Sequence, residues 1–461
     1  MVPNTFAYLV LGAWPFIAFA LFRALPSGRA LLANVFIAYL FLPPPPTKFD
    51  LPLTPPLTKD TLPQIVALFT AMYLYKDKLV LWPRNKLVAT VLAVFVFSPI
   101  ATTLLNTHPI FFGRIGIPGL GIKDAVALVM LQFIMVIPML LAYNFLQQER
   151  DQRDLLIAFC LFGLIYSLPM LIEVRLSPQL NTWIYGFFQH SFEQMVRYGG
   201  FRPIVFLYHG LWVAFFAMLA VSSAAVLARS EVGLNRGIAL VSTLYLLAVL
   251  VLCKSAGSLL YAMLLLPMIM LLPRALKLRI ALAILVFALA YPILKGAGIL
   301  PEEQLLQAIA RLSEDRAGSL RFRLDNENTL LARAMERPIF GWGSWGRNQI
   351  LDPYTGAITT VTDGRWVISI GQFGWVGFLS EMLLLSLPIV LFWTKTRGNE
   401  QMIWSPYVGG ICLMLAINVL DLLPNATLTP LTWLMSGALL GYVENAKGLA
   451  REPKMRLRSV M

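Results

Sequence analysis

Residues 125–146 read AVALVMLQFIMVIPMLLAYNFL, a run of 22 residues without one charged side chain. As an α-helix this run would be about 33 Å long, which is enough to cross the roughly 30 Å of hydrocarbon in a bilayer. Lipid offers the backbone no hydrogen-bond partners, so an apolar run of this length is expected to cross it as a helix. The stretch therefore predicts a membrane-spanning helix.

The composition of the whole chain agrees with this prediction. Of the 461 residues, 58% are hydrophobic and 13% are charged, and the mean hydropathy is +0.71. An ordinary soluble domain carries about 25% charged residues. Apolar runs of about 20 residues recur along nearly the whole chain, which leaves no room for an independent soluble domain. The first run, from Phe6 to Phe22, has no basic n-region and no cleavage pattern, so we expect a retained span and not a signal peptide.

The sequence predicts an all-α polytopic integral membrane protein, a single bundle over residues 1–461 with 12–13 transmembrane helices. The second and third candidate spans are short and could instead pair as a re-entrant feature. The thirteen candidate spans are 5–22, 30–42, 62–75, 86–105, 125–146, 154–172, 204–228, 237–252, 256–273, 279–294, 367–393, 405–420 and 428–443.

Alternate loops between these spans carry short basic clusters, and the positive-inside rule assigns such loops to the cytoplasm. The N-terminus is then outside, the C-terminus is inside, and the large loop 295–366, before the last three spans, is on the outer face. The clusters are Arg23 and Arg29; Lys76, Lys78, Arg84 and Lys86; Arg150 and Arg153; Arg229 and Arg236; Arg274, Lys277 and Arg279; Lys395 and Arg397; and the tail Lys447, Arg451, Lys454, Arg456 and Arg458.

Further basic residues fall on the outer side, where the same rule gives no reason for them. A polyanionic ligand would explain their presence, because arginine captures phosphate oxygens in a bidentate manner. They are Arg197, Arg202, Lys254, Arg321, Arg323, Arg333, Arg337, Arg347 and Arg365.

Two outer loops have distinct compositions. Residues 43–57 are rich in proline and predict a stiff, extended spacer. In the loop 295–366, residues 320–336 have helical character, with Leu320, Leu324, Leu331 and Ala334 on one face, and would lie on or in the membrane as a lid. A stretch rich in glycine and proline follows at 338–356, where the backbone could approach a ligand closely.

Asp363 and Arg365 stand where the span that begins near Trp366 enters the lipid, and Arg323 belongs with them. Ionisable residues at such a position are costly unless they face a cavity or a partner. The alternatives are a helix N-cap for Asp363 and snorkelling to the headgroups for Arg365. On a solvated helix, Arg321 with Asp325 and Arg323 with Glu327 would form ordinary i,i+4 ion pairs.

Three more basic residues flank spans on the outer side. Arg197 and Arg202 precede the seventh span, where Pro203 suits a first helical turn and headgroup anchoring is the alternative role. Lys254 lies between two spans in a short loop with small residues beside it, and a simple turn is its alternative.

Other residues give less chemical information. His108, His190 and His209 lack metal-ligand spacing, and Cys160, Cys253 and Cys412 favour neither a disulfide framework nor a zinc site. No nucleotide-binding, dinucleotide-binding, hydrolase or zinc-protease motif occurs, so we expect no metal, no cofactor and no nucleic-acid partner. Asn425-Ala-Thr427 matches a glycosylation acceptor, but we expect a chance match in a loop next to the membrane.

Three motifs in order resemble the O-antigen ligase and polysaccharide polymerase superfamily of bacterial inner membranes. Arg323 with Pro338-Ile-Phe-Gly-Trp-Gly343 is similar to the family's Arg and Pro-x-x-Gly-x-Gly. Asp363 through Gly371-Gln-Phe-Gly374 resembles the polar cluster before Gly-x-x-Gly, and Lys254-Ser-Ala-Gly-Ser258 resembles a motif that opens a mid-chain span. Family ligases usually have His-Asn where this chain has Asp363-Gly364-Arg365-Trp366, which favours a polymerase.

The resemblance implies a GT-C-like fold in the bacterial inner membrane, with the active site facing the periplasm. It implies transfer of a glycan from an undecaprenyl-diphosphate-linked donor to a sugar hydroxyl of a glycan acceptor, without metal or cofactor. Asp363 would act as the general base, kept as a carboxylate by Arg365, with Arg365 and Arg323 at the reacting centre. The diphosphate would be bound by Arg321, Arg202, Arg197 and Lys254.

Membrane lipids, a flippase and chain-length regulator proteins are the further partners that the resemblance implies. A ligase acting on a lipid or other acceptor is the nearest alternative. A flippase or exporter of the same lipid-linked glycan is the competing class, because it could also use a basic cavity but would need no base. A purely structural membrane partner is the third hypothesis.

Overall fold

The computed structural model describes residues 2–51, 54–197, 199–311, 313–397 and 404–445, and these ranges are largely helical. The basic tail 447–458 lies outside the described residues. The helices are α1 Thr5–Ala24, α2 Ser27–Phe41, α3 Leu62–Tyr75, α4 Lys86–Leu104, α5 Ile122–Phe145, α6 Glu149–Leu176, α7 Leu180–Tyr185, α8 Gly210–Ser230, α9 Gly233–Leu252, α10 Ala256–Leu271, α11 Arg274–Gly296, α12 Glu302–Ala310, α13 Glu314–Met335, α14 Arg365–Thr396, α15 Val408–Asp421 and α16 Pro430–Glu444.

The described residues also contain two small antiparallel hairpins, together with two short 3-10 helices, Lys76–Lys78 and Glu193–Met195. Strands β1 Ile110–Phe112 and β2 Ile115–Ile117 pair with Phe111 opposite Gly116. Strands β3 Val196–Arg197 and β4 Gly200–Phe201 pair with Arg197 opposite Gly200. Both hairpins lie in loops between helices, and the second carries residues of the candidate site.

The prediction of an all-α, multi-pass membrane protein is confirmed. In the part of the chain that the structure describes, each predicted span coincides with one helix, and eight helices are long and apolar enough to cross a membrane: α1, α4, α5, α6, α8, α9, α11 and α14. The other five, α2, α3, α10, α15 and α16, have 14–16 residues. At 1.5 Å per residue these reach about 21–24 Å, short of a full hydrocarbon core.

Helix α8 forms the centre of the bundle. It is buried along nearly its whole length and packs against α6, α9, α10 and α15. Helices α1, α9 and α11 are less buried, and α9 exposes Leu234, Val241 and Leu244, as lipid-facing helices do. Helix α8 begins at Gly210 and not near Pro203, because the His209 side chain caps it by accepting a hydrogen bond from Leu211 N at 3.0 Å. Pro203 therefore lies in the preceding loop.

The loops with basic clusters, which the positive-inside rule assigns to one face of the membrane, meet at one end of the bundle. Arg153 pairs with Glu231 at 2.6 Å, and Tyr407 donates to the same carboxylate at 2.8 Å. Arg29 pairs with Asp154 at 2.8 Å. Helix α8 runs from this end, beside Glu231, to the other end at Gly210, where the candidate site lies.

The loop 295–366 contains two helices, of which only one is predicted from the sequence. Helix α13 confirms the predicted helical stretch and begins earlier, at Glu314. Leu324, Leu331 and Ala334 are buried as expected, and Leu320 is half-buried. Helix α12 is not predicted. Lys295 at the end of α11 ties both helices down, because its ammonium pairs with Glu302 at 2.6 Å and with Glu327 at 3.4 Å. Burial raises the pKa of the Glu327 carboxyl.

Helix α14 is interrupted at Gly374, whose φ and ψ are 66° and −167°. At this break the segment Pro338–Gly343 inserts between α14 and α4. Trp342 N donates to Gly371 O at 2.9 Å and Trp375 N donates to Pro338 O at 2.7 Å, while Gly343 N donates to Gln372 O at 2.8 Å and Val376 N donates to Ile339 O at 3.2 Å. The inserted segment thus takes over the two i→i−4 hydrogen bonds that the break opens.

From the other side, α4 holds the same segment. Thr102 Oγ1 donates to Phe340 O at 2.7 Å, and Asn106 Nδ2 donates to Gly341 O at 3.0 Å. The glycines are required by space: an added Cβ at Gly341 would lie 2.6 Å from Gly374 N. The glycine-rich stretch therefore brings its backbone close to α14, where the sequence suggested a close approach to a ligand.

Candidate functional site

A cavity of about 530 Å³ opens at the end of the bundle where α8 begins. It is formed by the loop before α8, the α9–α10 turn, α13, the residues before α14 and the α15–α16 loop. Five basic side chains line it, together with the carboxylate of Asp363: Arg197, Arg202, Lys254, Arg316 and Arg323. We call this space the basic cavity. It contains five of the seven residues that the sequence predicts for the site.

The hairpin β3–β4 and the α9–α10 turn are joined through Lys254. The Lys254 ammonium donates to the Arg197 carbonyl at 3.0 Å. Lys254 adopts a positive φ of 52°, which is uncommon for a residue other than glycine. Gly200 leaves room for the ammonium, since an added Cβ there would collide with Lys254 Nζ. The turn thus does more than connect two helices, because it places a cation against the hairpin.

Arg202 is the most buried of the cavity arginines, with 4% of its surface exposed. Its backbone N donates to Met195 O at 2.8 Å, which fixes the loop. Its side chain passes over Gly210, where an added Cβ would lie 2.6 Å from Arg202 Cδ. Burial on this scale does not fit an arginine that only reaches for lipid headgroups.

His209 and His190 lie beside these arginines, with ring centroids 4.6 Å apart. Burial, aided by Arg202, His190, Arg197 and Arg323, lowers the pKa of His209 to about 3. His209 is therefore neutral at physiological pH and adds no charge to the cavity. His108 lies elsewhere, and in the part of the chain that the structure describes no group of three or more His, Cys, Asp or Glu side chains could hold a metal ion.

Helix α13 contributes one stripe of side chains to the cavity. Arg316, Ser319 and Arg323 follow i, i+3, i+7 spacing and all line it. Arg321 stands about 200° around the helix from Arg323 and points away. Its side chain is 63% exposed and lies 4.0 Å from Glu303, so the expected pair with Asp325 does not form. The sequence missed Arg316, although its seven-residue spacing from Arg323 was a usable signal.

Arg323 also has a different partner from the expected one. Its Nε lies 3.4 Å from Asp363 Oδ2, while Glu327 turns to Lys295. The side chains of Arg323 and Asp363 are 37% and 31% exposed, so both are accessible from the cavity. Asp363 does not cap α14, because the N-cap is Gly364 and no side chain bonds there. The carboxylate thus faces the cavity beside a guanidinium.

Arg365 lies apart from this cluster and is not the partner of Asp363. Its Nε pairs with Glu381 Oε1 at 2.7 Å, and the two side chains are 15% and 0% exposed. Ser369 donates to the other oxygen of Glu381. Arg365 and Glu381 both belong to α14, and their charges neutralise each other. Arg365 therefore does not reach for lipid headgroups, and its ion partner is Glu381 and not Asp363.

Arg365 lines a neighbouring cavity of about 400 Å³ whose walls are largely apolar. Leu131, Ile134, Met135, Leu428 and Trp433 are among them. The apolar cavity shares Trp212 and Ala426 with the basic cavity, so the two spaces adjoin. Asp60 also lines the apolar cavity, and burial raises the pKa of its carboxyl. Burial lowers the pKa of the preceding residue, Lys59, to about 7.

Three other arginines that the sequence predicts on the outer side have structural partners. Arg347 is 1% exposed, and its guanidinium donates to Trp342 O at 3.2 Å, Pro118 O at 2.6 Å and His108 O at 3.1 Å. Arg333 stacks on the Trp342 ring at 3.6 Å, and Arg337 donates to Leu105 O at 2.7 Å. These three stabilise the loops around Trp342, so a polyanion is not needed to explain them.

No family model matches the chain, and no curated protein matches it. The case for a function thus depends on the geometry of the basic cavity and its neighbours.

Proposed function

We propose that the protein is a polysaccharide polymerase of the bacterial inner membrane. It would transfer a glycan from an undecaprenyl-diphosphate-linked donor to a sugar hydroxyl of an acceptor at the periplasmic face. The observation that supports this most directly is the gathering of five cations from three parts of the chain around one cavity that also contains Asp363. Guanidinium and ammonium groups in such an arrangement suit the oxygens of a diphosphate.

The adjoining apolar cavity supports a lipid-linked anion over a free one. A polyprenyl diphosphate has an apolar chain directly attached to its charged group. The two cavities present the same succession, since Trp212 and Ala426 form a wall common to both. The polyprenyl chain would occupy the apolar cavity, and the diphosphate would contact Arg202, Arg323 and Lys254.

The proposed reaction needs a base and a stabilised leaving group. Asp363 would take the proton of the acceptor hydroxyl as its oxygen attacks the anomeric carbon of the donor sugar. The bond between that carbon and the diphosphate oxygen breaks, and undecaprenyl diphosphate leaves with the electron pair. Cations fixed in place beforehand stabilise the charge that develops on the leaving group, and general-base help adds about 10²–10⁴ in rate.

The test is chain extension by the purified protein given a lipid-linked oligosaccharide and nothing else. The wild type should produce longer glycans. Arg323→Ala should reduce transfer by 100-fold or more, on the order of one lost transition-state contact. Arg321→Ala is the matched control, because it removes the same side chain from the same helix outside the basic cavity.

Asp363→Asn separates binding from chemistry. It should abolish transfer while binding of undecaprenyl diphosphate persists, because the amide keeps the shape but cannot take the proton. Wild-type activity in this variant would remove Asp363 from the mechanism. Equal activity of the Arg323→Ala and Arg321→Ala variants would contradict the diphosphate site.

A flippase or exporter for the same lipid is the second candidate, and the break in α14 favours it. Discontinuous helices are common near transporter binding sites. In this protein the break at Gly374 is filled by residues 338–343, which hold it in place. Reconstituted vesicles distinguish the two: movement of the lipid across the bilayer without longer glycans indicates the transporter. A ligase would extend a lipid acceptor and leave glycan acceptors unchanged.

A further inference from the structure

Beyond Arg323, a smaller cavity of about 180 Å³ continues from the basic cavity. The two share Arg323, Ser255 and Asn425 among their lining residues. The smaller one adds Ser258, which ends the motif that begins at Lys254, and two residues that no sequence motif indicates, Tyr261 and Asp421. We call this space the inner chamber.

A buried carboxylate organises one wall of the inner chamber. Asp421, the last residue of α15, is 3% exposed. Its Oδ1 accepts from Asn425 Nδ2 at 2.8 Å, and its Oδ2 accepts from Thr427 Oγ1 at 2.6 Å. The residues of the apparent glycosylation acceptor thus serve as hydrogen-bond donors to Asp421. Arg365 N fixes the same loop by donating to Leu422 O at 2.9 Å.

The rest of the wall carries hydroxyl groups on a partly aromatic surface. Ser255 and Ser258 lie within 3.4 Å of each other, and Tyr261 interacts with Asp421. The rings of Phe215 and Tyr261 are nearly perpendicular, with centroids 6.3 Å apart. Carboxylate, amide and hydroxyl groups beside aromatic rings are the chemistry that binds a sugar: its hydroxyls find donors and acceptors, and its apolar face packs on a ring.

The size of the chamber limits what can enter it. At about 180 Å³, the chamber has about a third of the volume of the basic cavity. That is room for one ring and not for an oligosaccharide. A carboxylate has about four lone-pair sites, and the three partners named above leave capacity for one more donor.

We propose that the inner chamber holds one polyhydroxylated ring, with Asp421 and Tyr261 as specificity-determining residues. The inference rests on the proposed function and names the sugar part of its site. The order of the three spaces supports it. The apolar cavity adjoins the basic cavity, which adjoins the inner chamber, and in the donor the polyprenyl chain is followed by the diphosphate and then by the sugar. The ring belongs to the donor or to the acceptor, and the experiment distinguishes these sources.

The test compares two ligands on the same purified full-length protein: undecaprenyl diphosphate, and the same lipid carrying an oligosaccharide. If the chamber holds the donor ring, Tyr261→Phe should weaken binding of the glycan-bearing lipid by about five- to tenfold, as expected for one lost hydrogen bond. Binding of the sugar-free lipid should stay unchanged, which also shows that the variant is folded. Asp421→Asn should act in the same direction. Tyr245→Phe is the matched control, because its hydroxyl bonds to Ser167 far from the chamber.

If the ring comes from the acceptor, both lipids should bind Tyr261→Phe as they bind the wild type, while KM for the acceptor glycan rises five- to tenfold. Either result supports the inner chamber as a sugar site. Equal weakening of both lipids, or no change in any of the three measurements, would overturn the inference. Failure of the wild type to bind undecaprenyl diphosphate would instead overturn the proposed function and the inference with it.

Discussion

At the residue scale, the arginines differ in what their guanidinium groups touch. Arg347 donates to three backbone carbonyls, two of them more than 200 positions away along the chain. Arg197, Arg202, Arg316 and Arg323 face a cavity. The sequence shows the residue type in both cases. It does not show the partner, because a carbonyl acceptor has no signature in the amino-acid letters.

Arg365 is the residue whose predicted and observed surroundings differ most. Removing it alone would leave the Glu381 carboxylate buried without its ion partner, at a cost of about 3–5 kcal/mol in the free energy of unfolding. We therefore expect Arg365→Met to lower the thermal midpoint of the purified protein sharply. The double variant Arg365→Met with Glu381→Leu should recover most of that loss, because an apolar pair of similar volume is often tolerated in place of a buried ion pair.

Transfer activity of the same double variant decides the role of Arg365. We expect activity to return with stability, since Arg365 lines the apolar cavity and not the basic one. A double variant that is as stable as the wild type and inactive would instead restore Arg365 to the reacting centre, as the sequence predicted.

His209 makes stability depend on pH. Its pKa is about 3 in the folded protein and about 6.5 in an unfolded chain, so between these values only the unfolded state takes up the proton. Stability is thus lost as pH falls from 6.5 toward 3, by at most about 2 kcal/mol at pH 5. His209→Asn keeps an acceptor for Leu211 N, and its thermal midpoint should fall less than that of the wild type between pH 7 and pH 5. Equal falls in both proteins would contradict this account.

At the scale of single elements, helical periodicity predicts much of what the structure contains. The spacing of Leu324, Leu331 and Ala334 predicts the buried face of α13, and the same spacing distinguishes Arg323 from Arg321. Arg323 and Arg321 are both assigned to the site from the sequence, because both belong to the basic residues predicted on the outer side. Residues two positions apart on a helix are separated by about 200° around its axis, so Arg321 and Arg323 lie on different faces.

The break in α14 could not be predicted from either glycine motif alone. Its hydrogen bonds join residues 338–343 to residues 371–376, and each motif supplies what the other lacks. A sequence shows that glycine is present, but the close approach that requires it comes from a partner about 30 residues away. The two motifs are therefore halves of one structural unit, which joins the segment after α13 to the break in α14.

Substitution of Gly374 tests this unit. Gly374 and Gly298 share a φ of 66°, which strains an alanine at either position, and the ψ of −167° also puts Gly374 in a region that essentially only glycine adopts. At Gly374 the added Cβ would also strike the backbone of Ile339, whereas nothing lies within 4 Å at Gly298. We expect Gly374→Ala to lower the thermal midpoint and the transfer rate far more than Gly298→Ala. Similar losses in the two variants would mean that the docked segment can shift without consequence.

At the scale of the whole molecule, the sequence predicts the bundle better than the site. Apolar runs are local, and each predicted span coincides with a helix in the described part of the chain. The basic cavity is assembled from residues between 190 and 427, which come together through the packing of α8 against α10 and α15 and of α13 against α14. Asp421 was missed for this reason, since its surroundings exist only in the folded bundle.

The orientation of the bundle is open to a direct test, because the site and the basic clusters lie at different ends. The native cysteines Cys160, Cys253 and Cys412 are buried, so single added cysteines can be labelled without background. Ser319, exposed at the basic cavity, and Arg150, exposed at the other end, are suitable positions. In cells with a permeabilised outer membrane, an impermeant maleimide should label Ser319→Cys and leave Arg150→Cys unmodified, since basic loops stay in the cytoplasm.

The same variants then connect topology with ligand binding. Added undecaprenyl diphosphate should slow the labelling of Ser319→Cys in the purified protein, because the lipid would fill the cavity that this residue lines. Labelling of Arg150→Cys, at the distant end, should keep its rate and serves as the control. If only Arg150→Cys is labelled in cells, the true topology is the reverse of the predicted one. It would place the cavity in the cytoplasm, where the proposed periplasmic transfer could not take place.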